Sequence, residues 1–173
     1  QGLDDNTIVI FTSDNGGAWY VGLPDLNRPY RGWKATFFEG GIRTPFFARW
    51  PGHIPAGSHM RGPATHMDIF TTAAAVAGAP EQPQSDGVNL LPYLTGQQPG
   101  ALQRRLFWRS GPYRVVRDGD WKLQVSETPN RVWLFDLAND PTEQHDLSAQ
   151  QPERVAAMRA MIEAQNANLP PPI

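Results

Sequence analysis

The chain has 173 residues, of which 40% are hydrophobic and 18% charged, and its formal net charge is −2 at pH 7. This composition is typical of a globular domain. Binding to a phosphate backbone depends on clustered Lys and Arg, so the slightly acidic balance argues against a nucleic-acid partner. No apolar stretch approaches the length of a membrane span. With no cysteine, disulfides within the chain are excluded, but the compartment is left open.

The first predicted element is a strand at residues 7–12, whose apolar run ends abruptly at the polar turn 13–17. Such a run is typical of a parallel α/β sheet buried on both faces, and ligands bind at the carboxyl ends of its strands. Asp14 offers a carboxylate and Asn15 an amide oxygen, which suit Ca²⁺ or Mg²⁺. The scattered histidines do not predict a zinc site. The alternative is an ordinary turn, since Asn-Gly is a common turn dipeptide.

A second segment, residues 31–52, carries Lys34 in a loop rich in glycine and aromatic residues. A desolvated ammonium can hold an oxygen of sulfate or phosphate, although a lone lysine is more often a solvated surface residue. Large aromatic residues flank both motifs and are interpreted either as walls of a substrate cleft or as packing anchors; they are Trp19, Tyr20 and Trp33. We expect the loop at residues 18–30 to set specificity.

The middle of the chain predicts a short strand at residues 45–50 and then a helix. Thr65 and Asp68 have the spacing of a capping box, and Gly78 ends the apolar stripe that follows. His66, at the helix start, is interpreted as a capping or packing residue, with a catalytic role as the alternative.

The last part of the chain predicts an antiparallel sheet of about four strands. The predicted strands are residues 106–110, 113–117, 121–125 and 132–137. Asp118 and Gly119 are a strong hairpin signal. From Pro152 onward, Val155, Met158 and Ile162 share one face of a closing helix that should cover the sheet. Regular structure is expected to end in the prolines at 170–172.

These motifs together resemble those of the type I sulfatases, of the arylsulfatase kind, within the alkaline-phosphatase-like superfamily. The resemblance begins with residues 7–17 and 31–52, which are similar to the family's metal and sulfate motifs. It continues through segments similar to the family's H-x-D helix, its D-G segment and its C-terminal sheet signature, which are residues 65–78, 86–96, 116–123 and 134–143. It covers nearly the whole chain in the right order.

The resemblance implies an α/β fold: residues 1–96 would be the C-terminal part of the catalytic α/β domain. Residues 97–173 would be a small antiparallel sheet subdomain packed by the closing helix. It also implies that Asp14 and Asn15 are metal ligands, to Ca²⁺ more than Mg²⁺, and that Lys34 holds a sulfate oxygen and is catalytic. Glu39 and Arg43 are interpreted as supporting residues that satisfy each other.

Members of this family use a Cys or Ser in C/S-x-P-S-R that is oxidised to formylglycine. The approximate match at residues 110–114 follows the metal motif and lies in a predicted strand region, so we interpret it as coincidence. We therefore expect the chain to be the C-terminal portion of a longer sulfatase. The N-terminal part would supply formylglycine, further metal ligands and neighbours for the first strand. Self-association of the chain is the alternative way to cover that strand.

The predicted function is that of a sulfuric ester hydrolase fragment acting, in the complete protein, on a sulfate ester. A phosphate or phosphonate monoester hydrolase of the same superfamily is the main enzymatic alternative, because metal, lysine and a tetrahedral oxyanion serve both chemistries. A non-catalytic module is the third possibility. The resemblance also suggests a periplasmic, secreted or lysosome-like compartment.

Overall fold

The computed structural model describes residues 2–23, 25–167 and 169–170. Contacts divide the chain into two units, one formed by Gln1–Thr12 and Pro45–Gln103 and the other by Ser13–Thr44 and Arg104–Ile173. The segment Ser13–Thr44, here called the site loops, thus groups with the C-terminal sheet, whereas the sequence predicts a division after residue 96. That domain division stays a prediction for the protein. The predicted proline tail lies, at residues 171–172, outside the described residues.

In the first unit, strands β1 (Val9–Thr12) and β2 (Phe46–Arg49) form a two-stranded sheet. Both strands are found where the sequence predicts them, but they pair antiparallel, with Val9 opposite Arg49. The chain thus supplies one neighbour of β1 itself, an antiparallel one, and the parallel neighbours expected from the N-terminal part of a longer protein stay a prediction. Phe11 and Phe47 are 61% and 64% exposed, so the described residues leave one face of this sheet open.

The same unit contains helices α2 (Met67–Val76) and α3 (Leu91–Leu94). Buried Asp68 accepts hydrogen bonds from the backbone N–H groups of Thr65, at 2.6 Å, and Val88, at 2.7 Å. The first of these contacts is the acidic residue's half of the predicted capping box, whereas the Thr65 hydroxyl makes no hydrogen bond among the described residues. Buried Thr72 accepts a bond from Leu90 N at 2.9 Å, so α2 also fixes the segment that leads into α3. His66 precedes α2, and its side chain makes no capping hydrogen bond.

In the second unit, four strands form an antiparallel meander in the order β3-β4-β5-β6. They are β3 (Arg105–Ser110), β4 (Tyr113–Asp118), β5 (Trp121–Glu127) and β6 (Asn130–Asp136). Gly119 has φ +59° in the predicted hairpin turn between β4 and β5, a conformation that favours glycine. The sheet and its strand positions confirm the sequence prediction to within two residues at each end.

Helix α4 (Pro152–Asn166) closes the second unit. Met158 and Ile162 are buried, and they pack in one cluster with apolar side chains of the sheet; these are Val116, Leu123, Val125 and Leu134. Strand β5 is covered on both faces. Leu123 and Val125 belong to this cluster and Trp121 packs against it, whereas Lys122, Gln124 and Ser126 alternate to the opposite face and are also buried. Among the described helices, none is long and apolar enough to span a bilayer.

Candidate active site

The turn at residues 14–17 follows β1 in the chain and is ordered by its own side chains. Asp14 is exposed, and its Oδ1 accepts a bond from Asn15 N at 3.0 Å. The side-chain nitrogen of Asn15 donates to Gly16 O at 2.8 Å. The Asn15 nitrogen is thus used inside the turn, and its oxygen is the atom suited to a cation. The predicted metal ligands are therefore two adjacent oxygen donors on one turn.

Glycine allows this turn to contact the short helix α1 (Glu39–Ile42), which lies in the site loops. Gly16 N donates to Gly41 O at 2.9 Å, and Gly40 N donates to Arg31 O at 2.7 Å. A Cβ on Gly40 would lie 2.5 Å from Arg31 O, closer than real Cβ contacts. The pairs Gly16-Gly17 and Gly40-Gly41 therefore allow three backbone segments to come into contact: the turn at residues 14–17, helix α1 and the chain at Arg31.

Asn27 joins the same turn to the loop that carries Lys34. Its Oδ1 accepts from Gly17 N at 2.6 Å, and its Nδ2 donates to Gly17 O at 2.9 Å and to Gly32 O at 3.2 Å. The backbone N–H of Lys34 also donates to Gly17 O, at 3.1 Å. Lys34 itself is exposed and lies beside Ala35, which has φ +72°. Sequence reasoning singled out Lys34 but missed Asn27, since a lone Asn in a loop carries no distinctive signal.

The site loops enclose an open cleft of about 460 Å³. Trp19 and Trp33 line it and are 67% and 45% exposed. Tyr20 is not among the lining residues and instead packs edge-on against Trp19, with ring centroids 6.2 Å apart. The remaining lining residues are Ala18, Gly22, Leu23, Asp25, Leu26, Asn27, Arg28, Tyr30 and Gly32. The cleft therefore lies largely in the loop predicted to set specificity, residues 18–30.

A buried group of charges lies between the site loops and β5. Lys122 Nζ is 2.8 Å from Glu39 Oε1 and 2.9 Å from Glu143 Oε1, and all three side chains are at most 3% exposed. Arg43, the predicted partner of Glu39, lies at 3.7 Å and is half exposed, so Lys122 is the closer partner. The sequence did not reveal this group because Lys122 is 83 residues from Glu39. Lys122 alternates with apolar residues in a strand whose even-numbered residues are all polar, a pattern typical of a solvent-exposed face, so no signal of its burial was available from the sequence.

Two carboxyl groups of the second unit have shifted pKa values. Burial raises the pKa of Glu143, with Lys122 and the Glu39 N–H opposing the shift and the Glu39 carboxylate adding to it. Burial also acts to raise the pKa of Asp140. Hydrogen bonds that Asp140 accepts from the backbone of His145 and Gln144 and from the Thr142 side chain outweigh this, so its pKa lies below the usual value. Asp140 is therefore held as the carboxylate, whereas for Glu143 burial acts against ionisation and the ammonium of Lys122, 2.9 Å away, acts in its favour.

The oxygen donors fit part of a hard-cation site. Ca²⁺ takes six to eight oxygen ligands, as is general for this ion. Asp14 and Asn15 provide two such side chains, and the described residues contain no group of three or more His, Cys, Asp or Glu placed to hold a metal. The donor chemistry therefore suits Ca²⁺ or Mg²⁺, but a full shell needs ligands beyond these two side chains.

Comparison with known proteins finds relatives that cover up to nearly the whole chain. The Sulfatase family model matches residues 1–79. The chain is 46% identical to the N-acetylgalactosamine-6-sulfatase of Homo sapiens over 62% of this chain and 21% of the human protein. It is 31% identical to the steryl-sulfatase of Rattus norvegicus over 97% of this chain and 36% of that protein.

Solved structures agree. The crystal structure of Ps i-CgsB in complex with k-i-k-neocarrahexaose is matched with a TM-score of 0.79 and 29% identity, over 94% of this chain and 37% of that one. The fold is that of the C-terminal portion of the alkaline-phosphatase-like sulfatases. The chain belongs to the sulfatase family. It spans between about a fifth and somewhat over a third of the length of the curated relatives named above.

Proposed function

We propose that this chain is the C-terminal portion of a sulfuric ester hydrolase and carries part of its metal and sulfate site. In this proposal Asp14 and Asn15 are ligands of a divalent cation, Ca²⁺ in preference to Mg²⁺, and Lys34 is the catalytic residue that holds a sulfate oxygen. The observation that supports it most is the contact of Lys34 N and Asn27 with Gly17. These hydrogen bonds join the turn that bears Asp14 and Asn15 to the loop that bears Lys34.

The proposed chemistry is charge neutralisation on the sulfuryl group. Lys34 places a compact positive charge near oxygens that gain negative charge as the ester bond breaks, and such preorganised charge lowers the barrier. A bound divalent cation would supply Lewis-acid stabilisation of the same kind. Formylglycine, expected in a segment outside this chain, would supply the nucleophile. The proposed role of this chain is to hold and orient the sulfate group.

We propose a sulfated carbohydrate as the substrate class. Trp19 and Trp33 present exposed rings to the cleft, and aromatic rings of this kind can stack on the apolar faces of sugars. The relatives named N-acetylgalactosamine-6-sulfatase and the structure in complex with a neocarrahexaose support the same class. Tyr20 does not line the cleft, and we propose that it assists substrate binding indirectly, by supporting Trp19. For the compartment, we propose a periplasmic, secreted or lysosome-like location.

The test compares matched sulfate and phosphate monoesters, using the longer protein that contains this chain and an intact C/S-x-P-S-R segment. We expect kcat/KM for the sulfate to exceed that for the phosphate by at least about 10²-fold, which corresponds to about 2.7 kcal/mol of differential stabilisation. Comparable turnover of both esters would instead favour the phosphatase alternative.

The isolated 173-residue chain is the control for the non-catalytic alternative. We expect it to hydrolyse neither ester and to bind Ca²⁺ weakly or not at all in a calorimetric titration, because two side-chain ligands are too few for a full shell. Turnover by the purified chain would contradict the proposal that the nucleophile lies outside it.

A further inference from the structure

The buried charges on β5 are connected to the candidate metal turn through backbone hydrogen bonds. Glu143 Oε2 accepts a bond from Glu39 N at 2.5 Å, at the first residue of α1. The carbonyl of Glu143 accepts from Arg31 Nη1 at 3.1 Å. Lys122 then joins the carboxylates of Glu39 and Glu143. One lysine and one glutamate from the C-terminal part of the chain thus fix both ends of the loop between Arg31 and α1.

From α1 the connection continues to the oxygen donors. Gly41 O accepts from Gly16 N at 2.9 Å, and Gly40 O would lie 1.8 Å from a Cβ on Gly16. With backbone atoms in such close contact, a displacement of α1 must displace Gly16 as well. Gly16 is bonded directly to Asn15 in the chain, so the position of the predicted ligands depends on the position of α1.

Burial of these charges is costly unless each is paired, and the cost restricts the arrangements that the group can adopt. Lys122 has two carboxylate partners within 2.9 Å, and Gln124 Nε2 adds a bond to Glu143 Oε1 at 3.3 Å. A shift of α1 would leave a buried ammonium or carboxylate without its partner. The group therefore favours one position of α1 over its neighbours.

We propose that Lys122 and Glu143 are positioning residues for the Asp14–Asn15 turn, acting through Glu39, Gly41 and Gly16. The antiparallel sheet thereby serves as a rigid support for the candidate metal and sulfate site, in addition to packing against α4. This inference rests on the proposed function for its catalytic meaning, but the positioning itself is a property of the chain.

The first experiment needs no activity. Hydrogen exchange is followed by mass spectrometry in Glu143→Gln and in Met158→Ala. Both carboxylate oxygens of Glu143 accept from donors, so Glu143→Gln places its amide NH₂ group against either Lys122 Nζ or the Glu39 N–H. Met158→Ala removes core packing on the other face of the sheet. At temperatures chosen for equal distance below each melting point, we expect Glu143→Gln to raise exchange of residues 13–18 about 10-fold or more. In peptides of β5 and β6, we expect the exchange rate of Glu143→Gln to equal that of Met158→Ala.

A second variant covers the case in which Glu143→Gln does not fold. Arg31→Ala removes the side-chain bond to the Glu143 carbonyl and the contact of the guanidinium with the Phe38 ring, 4.1 Å away, but leaves the buried charges paired. We expect a smaller increase in the same 13–18 peptides. Exchange at 13–18 that is unchanged, or raised equally throughout the chain, would overturn the proposal.

The second experiment uses the longer, active protein. Misplacement of a site by about 1 Å can lower the rate by about 10²-fold. We therefore expect Glu143→Gln to lower kcat by about 10- to 100-fold with KM changed less than about 3-fold, while Met158→Ala keeps kcat at permissive temperature. Unchanged kcat in Glu143→Gln would overturn the catalytic part of the inference. Wild-type protein that cleaves no sulfate ester would instead refute the proposed function and leave the exchange result standing.

Discussion

The α-carbon of Gly16 faces the Gly40 carbonyl so closely that a Cβ on Gly16 would lie 1.8 Å from that oxygen. Gly16→Ala must therefore displace backbone, and we expect it to lower the free energy of unfolding by about 1–3 kcal/mol, the usual range for overpacking. Denaturant unfolding measures the change. Gly111→Ala is a comparison with a different cause of strain, because Gly111 has open space around its Cβ position but φ +52°, a conformation that disfavours alanine. A Gly16→Ala variant as stable as wild type would contradict the close contact.

The two lysines of the chain should respond to substitution in opposite ways. Lys34 is exposed in the site loops, so Lys34→Ala in the longer protein should lower kcat by about 10²–10³-fold with little change in melting temperature. Lys122 is buried between two carboxylates, so Lys122→Met should lower stability by about 3–5 kcal/mol. Kinetics and thermal unfolding of both variants test this. Near-normal kcat in Lys34→Ala with a lowered melting temperature would make Lys34 a structural residue.

Substitution of the aromatic residues at the cleft should change KM rather than kcat. Stacking of one aromatic ring is worth about 0.5–1.5 kcal/mol, so Trp33→Ala should raise KM for a sulfated oligosaccharide about 2- to 12-fold. Tyr20→Ala should act more weakly, because Tyr20 contacts Trp19 and does not line the cleft. A sulfate ester too small to reach the cleft is the control substrate. Equal effects of Trp33→Ala on both substrates would argue against a role in carbohydrate binding.

The open face of the β1–β2 sheet predicts self-association of the isolated chain. Phe11 and Phe47 pair across the strands with ring centroids 6.2 Å apart, and both are mostly exposed. Each large apolar side chain left in water forfeits about 1.5–3 kcal/mol, which favours pairing with a second copy or with the N-terminal part of the protein. Light scattering should show concentration-dependent oligomers that Phe11→Ser and Phe47→Ser together abolish. A monodisperse wild-type monomer with residues 7–13 strongly protected from exchange would disprove this.

Asp140 predicts a loss of stability in acid. Its pKa is lowered in the folded state, so its contribution is present above the unfolded-state pKa and is lost as the pH falls through the folded-state pKa. Asp140→Asn should destabilise the chain at pH 7 by about 1.5–3 kcal/mol, the range for hydrogen bonds to a charged group. The difference from wild type should shrink as the pH falls below 3.8, the ordinary pKa of an aspartate. Denaturant unfolding between pH 7 and pH 3 checks this, and a pH-independent difference would contradict it.

The elements that depend on local pattern could be predicted from the sequence. Short β-type runs separated by Asp118 and Gly119 placed the meander, and the spacing of Met158 and Ile162 identified the buried face of α4. The polar end of the first strand, together with the family resemblance, indicated Asp14, Asn15 and Lys34. Each of these inferences used residues close together in the sequence.

Interactions between distant segments were decided only by the tertiary structure. The antiparallel pairing of β1 with β2 depends on how the intervening loops return the chain, which an apolar run alone does not specify. Asn27 became part of the site through its bonds to Gly17, and Lys122 through its approach to Glu39. The sequence by itself determined the family, the local elements and the types of ligand atoms. The folded chain decided which buried charges meet, because a charge removed from water must find its partner in space, whatever their separation along the chain.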